Sequence, residues 1–238
     1  MAIPLVRPIT IVTPDQCVTH VDMAKRILKT FDEHGDLLNA YHKVWYESGH
    51  TWHYTQFLGI GLMKSPNDLW MYQTLMAHFK PQTVIETGTY KGASALWFAS
   101  IMDLLKIDGK VYTIDIEDRR ECDHPKIVFI DGDSTDPAVA EAILAEVKGP
   151  VLLSLDSDHS SAHVRRELDL WTPACGLEDW CVVEDTNIGW EGPTGDKGAM
   201  GGVRDFLLAN PGQWRQDVIC ERWLLTMNPG GWLQRVMR

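Results

Sequence analysis

Thr83-Val84-Ile85-Glu86-Thr87-Gly88-Thr89-Tyr90-Lys91-Gly92-Ala93-Ser94 is the stretch that decides the fold. Apart from Glu86, its first five residues are β-branched, the composition of a short strand covered on both faces. Gly88 and Gly92 then allow a tight turn and the close approach of a ligand to the backbone, and a helical pattern begins at Ala93. The unit is strand, glycine turn, helix. Its spacing, Glu-x-Gly-x-x-x-Gly, differs from the G-x-G-x-x-G of a dinucleotide site, and it lacks the Gly-Lys-Ser/Thr of a phosphate loop. An acid at the strand end repels a phosphate and suits a cationic or hydroxyl-bearing ligand.

Outward from this unit the same alternation repeats. Residues 110–116, 126–130, 151–155 and 180–184 are further strand runs, with helical patterns over 93–105, 137–147 and 161–170. Such alternation predicts a parallel sheet with helices on both faces. Residues 223–227 and 232–236, separated by Asn228-Pro229-Gly230-Gly231, read as an antiparallel hairpin that closes it. The expected fold is α/β, with a mostly parallel seven-stranded sheet, a C-terminal hairpin and N-terminal helices. Ser65-Pro66-Asn67-Asp68 opens one of those helices, with Ser as cap, Pro in the first turn and an apolar face of Leu69, Tyr72, Met76 and Phe79. Earlier still, residues 1–17 form an irregular arm containing Pro4, Pro8 and Pro14. A helix starts at Thr19 and stops at Gly35, and a second short amphipathic segment carries Leu37, Leu38, Tyr41 and Trp45. The predicted organisation is an arm or lid over residues 1–50 and one domain over 51–238.

Composition removes several classes of function. A hydrophobic fraction of 45% excludes wholesale disorder. A formal net charge of −11, with basic residues scattered, makes nucleic acid a poor partner. No apolar run approaches the roughly 18 residues of a membrane helix. The opening Met1-Ala2-Ile3-Pro4-Leu5 is too short and interrupted for a signal peptide. The 5 cysteines form no CxxC pair and read as reduced thiols of a cytoplasmic protein.

In an open parallel sheet, ligands sit beyond the carboxyl ends of the strands. The second strand ends at Asp115, placed to accept hydrogen bonds from vicinal ribose hydroxyls. The third ends in Asp131-Gly132-Asp133-Ser134. Acids at these ends, beside a glycine turn, favour a nucleoside ligand without phosphates. Asp156, Asp158, Glu184 and Asp185 follow the fourth and fifth strands and repel one another unless paired. A hard divalent cation relieves that repulsion, and no basic cluster nearby in sequence competes for it. The plainer alternative is that these acids cap helices. His159 and His163, with Asp156 or Asp158, also have the composition of a two-histidine, one-carboxylate iron site. A histidine beside a metal equally suits proton removal. No Gly-x-Ser-x-Gly elbow supports a covalent mechanism.

Val84-Ile85-Glu86-Thr87-Gly88-Thr89, Asp115, Gly132-Asp133 and Leu155-Asp156-Ser157-Asp158-His159-Ser160 together resemble an S-adenosylmethionine-dependent methyltransferase. Lys64-Ser65-Pro66-Asn67-Asp68 with Tyr72-Gln73, then Val182-Val183-Glu184-Asp185-Thr186-Asn187 and residues 223–233, narrow this. The narrower likeness is to the cephalosporin hydroxylase family, which includes rhamnosyl O-methyltransferase-like proteins. The resemblance implies a Rossmann-like class I methyltransferase fold, with S-adenosylmethionine and Mg²⁺ as cofactors. It further implies that Glu86, Gly88 and Ser94 hold the methionine part, Asp115 the ribose and Asp133 the adenine edge. Asp158, Glu184 and Asp185 are implied as metal ligands, and Asp156 falls to the cofactor side. Catechol-type relatives use an aspartate at the strand end itself, so Asp156 and Asp158 remain alternatives for the metal.

The expected activity is Mg²⁺-dependent O-methylation of a hydroxyl on a small natural product or sugar. Metal binding would lower the acceptor's pKa, with His159 or Lys64 taking its proton. Trp52, Tyr54 and Trp190, with a mobile loop over 189–202, are the expected acceptor wall and lid. The alternatives are a non-haem iron hydroxylase and a non-catalytic, cofactor-binding helper of a partner enzyme. Besides its acceptor, a second copy of the chain is an expected partner, through the helices before residue 50.

Overall fold

Strand–helix alternation from residue 83 produces a central sheet of seven strands in this computed structural model, which describes residues 11–13, 16–18, 20–188 and 198–237. In chain order, β1 (Ile11–Thr13) and β2 (Gln16–Val18) pair as a short antiparallel ribbon where an irregular arm was expected. Helix α1 (His20–Lys43) follows and continues through Gly35, ending in a π-turn at Val44–Ser48. A glycine in a helix interior costs only about 1 kcal/mol against alanine. The helix-forming residues on either side outweigh it, so the predicted stop and the separate second segment are one helix. Only Ile27 of α1 is buried, and His20 Nε2 meets Asp217 Oδ2 at 3.0 Å where the helix joins the body.

A 3₁₀ turn at Thr51–Tyr54 leads to β3 (Gln56–Phe57) and β4 (Ile60–Gly61), a miniature hairpin whose Leu58 and Gly59 both have positive φ, as a two-residue turn requires. Helix α2 (Pro66–Phe79) starts as expected, with Ser65 Oγ accepting from the Asn67 N–H at 3.2 Å. Its buried face is Asp68, Met71, Tyr72, Leu75 and Met76, while Leu69 and Phe79 are only partly covered.

The sheet proper contains β5 (Thr83–Thr87), β6 (Lys110–Asp115), β7 (Ile127–Asp131), β8 (Val151–Leu155) and β9 (Trp180–Val183), all parallel. Between them run α3 (Ala93–Leu104), α4 (Pro137–Leu144) and α5 (Ser161–Trp171). These bounds lie within a few residues of the sequence expectation. The C-terminal part differs from it. Residues 223–227 form no strand; β11 (Trp232–Arg235) instead pairs antiparallel with β9 and with β10 (Trp214–Gln216). The Asn228–Gly231 turn is present, with the Gly231 N–H donating to the Asn228 carbonyl at 2.9 Å. The residues before it, however, spend their polar groups on α2 and the end of β9 rather than on a ladder. Helix α6 (Ala199–Ala209) occupies part of the expected 189–202 loop, whose residues 189–197, including Trp190, lie outside the described residues.

The strand order is β10-β11-β9-β8-β5-β6-β7. The chain therefore moves one way from β5 to β7 and then crosses to β8 on the other side. That reversal opens a crevice between the carboxyl ends of β5 and β8, the position where open α/β sheets bind ligands. Side chains alternate between two cores, as the strand period of two demands. Ile85, Leu153, Val183, Leu168, Trp171 and Phe206 pack on one face. Val84, Leu152, Trp180, Tyr72, Phe98 and Trp232 pack on the other. Among the described residues no helix is long and apolar enough to cross a membrane.

Candidate active site

A cavity of about 610 Å³ opens at that crevice, and the strand-end residues singled out by the sequence converge on it. Gly88, Ser94, Asp115, Asp133, Asp156, Asp158, His159 and Asp185 all line it. Gly88 has φ of 84°, and a Cβ there would lie 1.9 Å from the Asp156 carbonyl oxygen, so only glycine lets β5 and β8 approach at their ends. Ser94 sits in the first turn of α3, whose N-terminal end faces the cavity.

Glu86 lies beneath this turn and is fully buried. Thr113 Oγ1 donates to its Oε2 at 2.6 Å, while its buried Oε1 has no protein partner. Burial pushes the Glu86 pKa up to about 7 against the opposing charge of Lys64. Glu86 does not itself line the cavity; Gly88 and Ser94 do, and the buried carboxylate places a negative charge behind them. Asp115 accepts the Tyr90 N–H on Oδ2 at 2.8 Å and the Glu117 N–H on Oδ1 at 3.1 Å, which fixes its carboxylate at the cavity edge. Asp133 Oδ1 accepts from both the N–H and the hydroxyl of Thr135, at 2.8 and 2.7 Å. Those two bonds hold its pKa below the usual carboxylate range.

The second cluster of acids is arranged differently from expectation. Asp156, His159 and Asp185 each bring one ligand atom within 4.8 Å of the others, and His159 Nε2 is 3.3 Å from Asp185 Oδ2. Asp158 and Glu184 stand outside that group. Asp158 Oδ1 accepts the Ser160 N–H at 2.7 Å, a local turn two residues long just ahead of α5. Glu184 points into the protein: its Oε1 accepts from Tyr72 at 2.8 Å and Ser154 at 2.6 Å, and its Oε2 meets Lys64 Nζ at 2.6 Å.

Lys64 also contacts Asp156 Oδ2 at 2.6 Å, so a single buried lysine neutralises two of the acids that sequence reasoning left unpaired. Burial alone would lower its pKa, but Asp156 and Glu184 outweigh that and hold the ammonium well above its ordinary value. An ammonium held between two carboxylates is a poor proton acceptor, so the expected base role for Lys64 does not fit. Its signal in sequence was weak: one lysine just before the Ser65 cap. The proposed two-histidine set is not assembled either. His163 Nε2 turns to Ser157 at 3.0 Å and to buried Glu167 at 3.5 Å, which raises its pKa.

At the mouth, Trp52 lines the cavity as expected, but Tyr54 is 77% exposed and stands apart from it. Tyr46 takes the second place, its ring stacked on Trp52 with centroids 5.5 Å apart. Burial and the nearby Asp185 charge push the Tyr46 phenol up to about 12. Nothing in the local sequence marks Tyr46, because it reaches the cavity only through the unbroken length of α1.

Residues 49–236 match the family model described as Rhamnosyl O-methyltransferase/CmcI. The rhamnosyl O-methyltransferase of Mycobacterium tuberculosis is 41% identical over 155 residues, covering 62% of this chain and 63% of that protein. The chain thus spans just under two thirds of that relative's length. The Mycobacterium leprae counterpart is 36% identical over 195 residues, 78% of this chain and 84% of its own length. Among solved structures, a CmcI structure described with Mg and SAM has a TM-score of 0.64 at 23% identity, over 77% of each chain. A CmcI apo-structure gives 0.63 at 22% identity over 78% of each. At that identity the likeness is one of fold.

Proposed function

Because the chain belongs to the rhamnosyl O-methyltransferase/CmcI family, we propose that it transfers the methyl group of S-adenosylmethionine to a hydroxyl of a small natural product or sugar. The observation that carries this reading is one cavity holding two chemically distinct ends. Gly88, Ser94, Asp115 and Asp133 line one part of it, and the Asp156–His159–Asp185 cluster lines another. The first part suits a nucleoside with a positively charged tail. Gly88 admits the backbone approach, Glu86 places a buried negative charge behind it, Asp115 accepts from ribose hydroxyls and Asp133 from the adenine edge.

The second part suits Mg²⁺. Asp156 and Asp185 would hold it with hard carboxylate oxygens. When bound, S-adenosylmethionine supplies the methyl on its sulfonium and Mg²⁺ makes the acceptor oxygen more acidic. Lys64 leaves one oxygen of Asp156 available and keeps the buried acids together without a metal. His159 takes the acceptor's hydroxyl proton at Nε2, where the Asp185 carboxylate at 3.3 Å stabilises the resulting imidazolium. Imidazole is a poor partner for Mg²⁺, which leaves His159 free for this role. Asp158 then braces the turn ahead of α5, and Glu184 serves as a buried counter-charge.

Trp52 and Tyr46 form the acceptor wall, so the π-turn that ends α1 contributes to the active site. The lining carries five aspartates, while Lys91, its lysine, is paired with Glu121 at 2.6 Å. That field disfavours phosphorylated acceptors and favours neutral hydroxylated ones.

The test is a mass-spectrometric screen of hydroxylated sugars, macrolides and catechols with methyl-labelled cofactor, each run with and without a chelator. A labelled acceptor formed only with divalent metal supports the reading. Tight cofactor binding without transfer to any acceptor, or transfer at full rate after exhaustive chelation, overturns the corresponding half of it.

A further inference from the structure

We propose that Asn228 is a positioning residue for Asp185, and that the buried turn carrying it sets where this carboxylate stands in the cavity. The inference rests on the reading above that Asp185 holds a divalent metal. Asp185 has φ of 54°, the left-handed region that non-glycine residues rarely occupy. Such a conformation persists only where surrounding structure over-determines it. Here the Asp185 N–H donates to Asn228 Oδ1 at 3.0 Å. Asn228 is fully buried and does not line the cavity, so its side chain reaches the site through this bond.

Asn228 is itself held from both directions. Its N–H donates to Thr226 Oγ1 at 2.9 Å, and its carbonyl accepts from the Gly231 N–H at 2.9 Å. Thr226 Oγ1 donates in turn to Asp68 Oδ1 at 2.6 Å, and the Met227 N–H donates to Asp68 Oδ2 at 2.9 Å. Asp68 is a buried carboxylate in the first turn of α2, so the chain of bonds ends on a rigid helix. Gly231 is required for the turn to lie this close to β9, because a Cβ there would sit 2.2 Å from the Val183 carbonyl oxygen. Thr186 Oγ1 also donates to the Pro229 carbonyl at 2.8 Å, on the residue after Asp185. The Asn228-Pro229-Gly230-Gly231 segment is thus no sheet-closing hairpin. It braces the end of β9, and loss of the Asn228 oxygen lets residue 185 relax to negative φ and swing its carboxylate away from Asp156.

Mn²⁺ alone serves as the probe, its binding followed by electron paramagnetic resonance, with S-adenosylmethionine calorimetry as a second readout. Wild type is expected to bind Mn²⁺, and Asn228→Leu to bind it about tenfold to hundredfold more weakly, the range seen when a residue orienting a ligand is removed. Cofactor affinity should change no more than about twofold, since the bond lies at the metal end. Asn228→Asp keeps an oxygen acceptor for the Asp185 N–H and should recover most of the affinity. Amide exchange at Asp185 should quicken in Asn228→Leu and not in Asn228→Asp. Should the leucine variant fail to fold, Asn228→Ser, too short to reach, is expected to show the same loss. A folded leucine or serine variant that binds Mn²⁺ as wild type does overturns the inference and leaves the metal reading standing. Wild type that binds no Mn²⁺, or an Asp185→Asn variant with undiminished affinity, overturns the metal reading and this inference with it.

Discussion

Lys64 Nζ and Glu184 Oε2 lie 2.6 Å apart at the carboxyl edge of the sheet, with neither side chain more than 5% exposed. Asp156 shares the same ammonium. Removing one member of a buried ion pair costs about 3–5 kcal/mol, because the remaining charge has neither water nor partner. Lys64→Met should lower the unfolding free energy by that amount in urea denaturation. Glu184→Gln should cost less, since Lys64 keeps Asp156. A methionine variant as stable as wild type would mean that solvent reaches these carboxylates and the lysine is dispensable.

The same edge depends on Gly88, and Gly59 supplies a matched control. Both have positive φ, 84° and 87°, but an added Cβ at Gly59 meets nothing within 4 Å whereas one at Gly88 meets the Asp156 carbonyl at 1.9 Å. Gly59→Ala should carry only the left-handed backbone cost of about 1–2 kcal/mol. Gly88→Ala should exceed it clearly and should weaken cofactor binding as well, because the β5–β8 crevice must widen. Equal denaturation midpoints for the two variants would remove the close-approach role of Gly88.

How far the sequence reaches follows from the range over which each interaction acts. Strands β5 and β8 are legible to the residue because four of the five residues in each are apolar or β-branched and no competing pattern lies between the turn signals. Gly88, Asp115 and Asp156 are legible because a doubly wound sheet sends its strand ends to one edge. What fails is set by partners distant in sequence. Lys64 meets Asp156 92 residues away, and the Asn67 side chain reaches the Leu225 carbonyl 158 residues away. Neither spacing leaves a local trace. The β10 strand was hidden for the same reason. It is three residues long and is defined by its pairing with β11, while the more strand-like 223–227 run gives its Met227 N–H to buried Asp68 and its Leu225 carbonyl to Asn67.

Glu86 supplies a pH dependence with two opposite signs. Its folded pKa of about 7 lies above the ordinary glutamate value of 4.5. Between those values the folded protein keeps a proton that the unfolded chain has released, so Glu86 makes stability fall as pH rises through that window. A cationic cofactor tail favours ionised Glu86, so its affinity should rise over the same range. If binding needs the carboxylate, affinity should increase about tenfold from pH 6 to pH 8. Glu86→Gln should flatten both the stability and the affinity profiles. Calorimetry showing the same pH slope in that variant would assign the titration to another group.

Asp115 provides the sharpest test of the nucleoside end. Its two oxygens each accept one backbone N–H, from Tyr90 and Glu117, and each retains a lone pair for a hydroxyl. A charge-assisted pair of bonds to vicinal hydroxyls predicts that Asp115→Ala loses about 1.5–3 kcal/mol, a tenfold to hundredfold drop in S-adenosylmethionine affinity. Part of that loss could come from freeing the Tyr90 and Glu117 amides rather than from the ribose. A 2′-deoxyribose analogue of the cofactor separates the two causes. Wild type should bind the analogue more weakly than the natural cofactor, whereas Asp115→Ala should bind both alike, because the missing hydroxyl has already lost its partner. Equal affinities in wild type, or an undiminished difference in the alanine variant, would take the ribose away from Asp115 and leave it a cap for the Tyr90 turn.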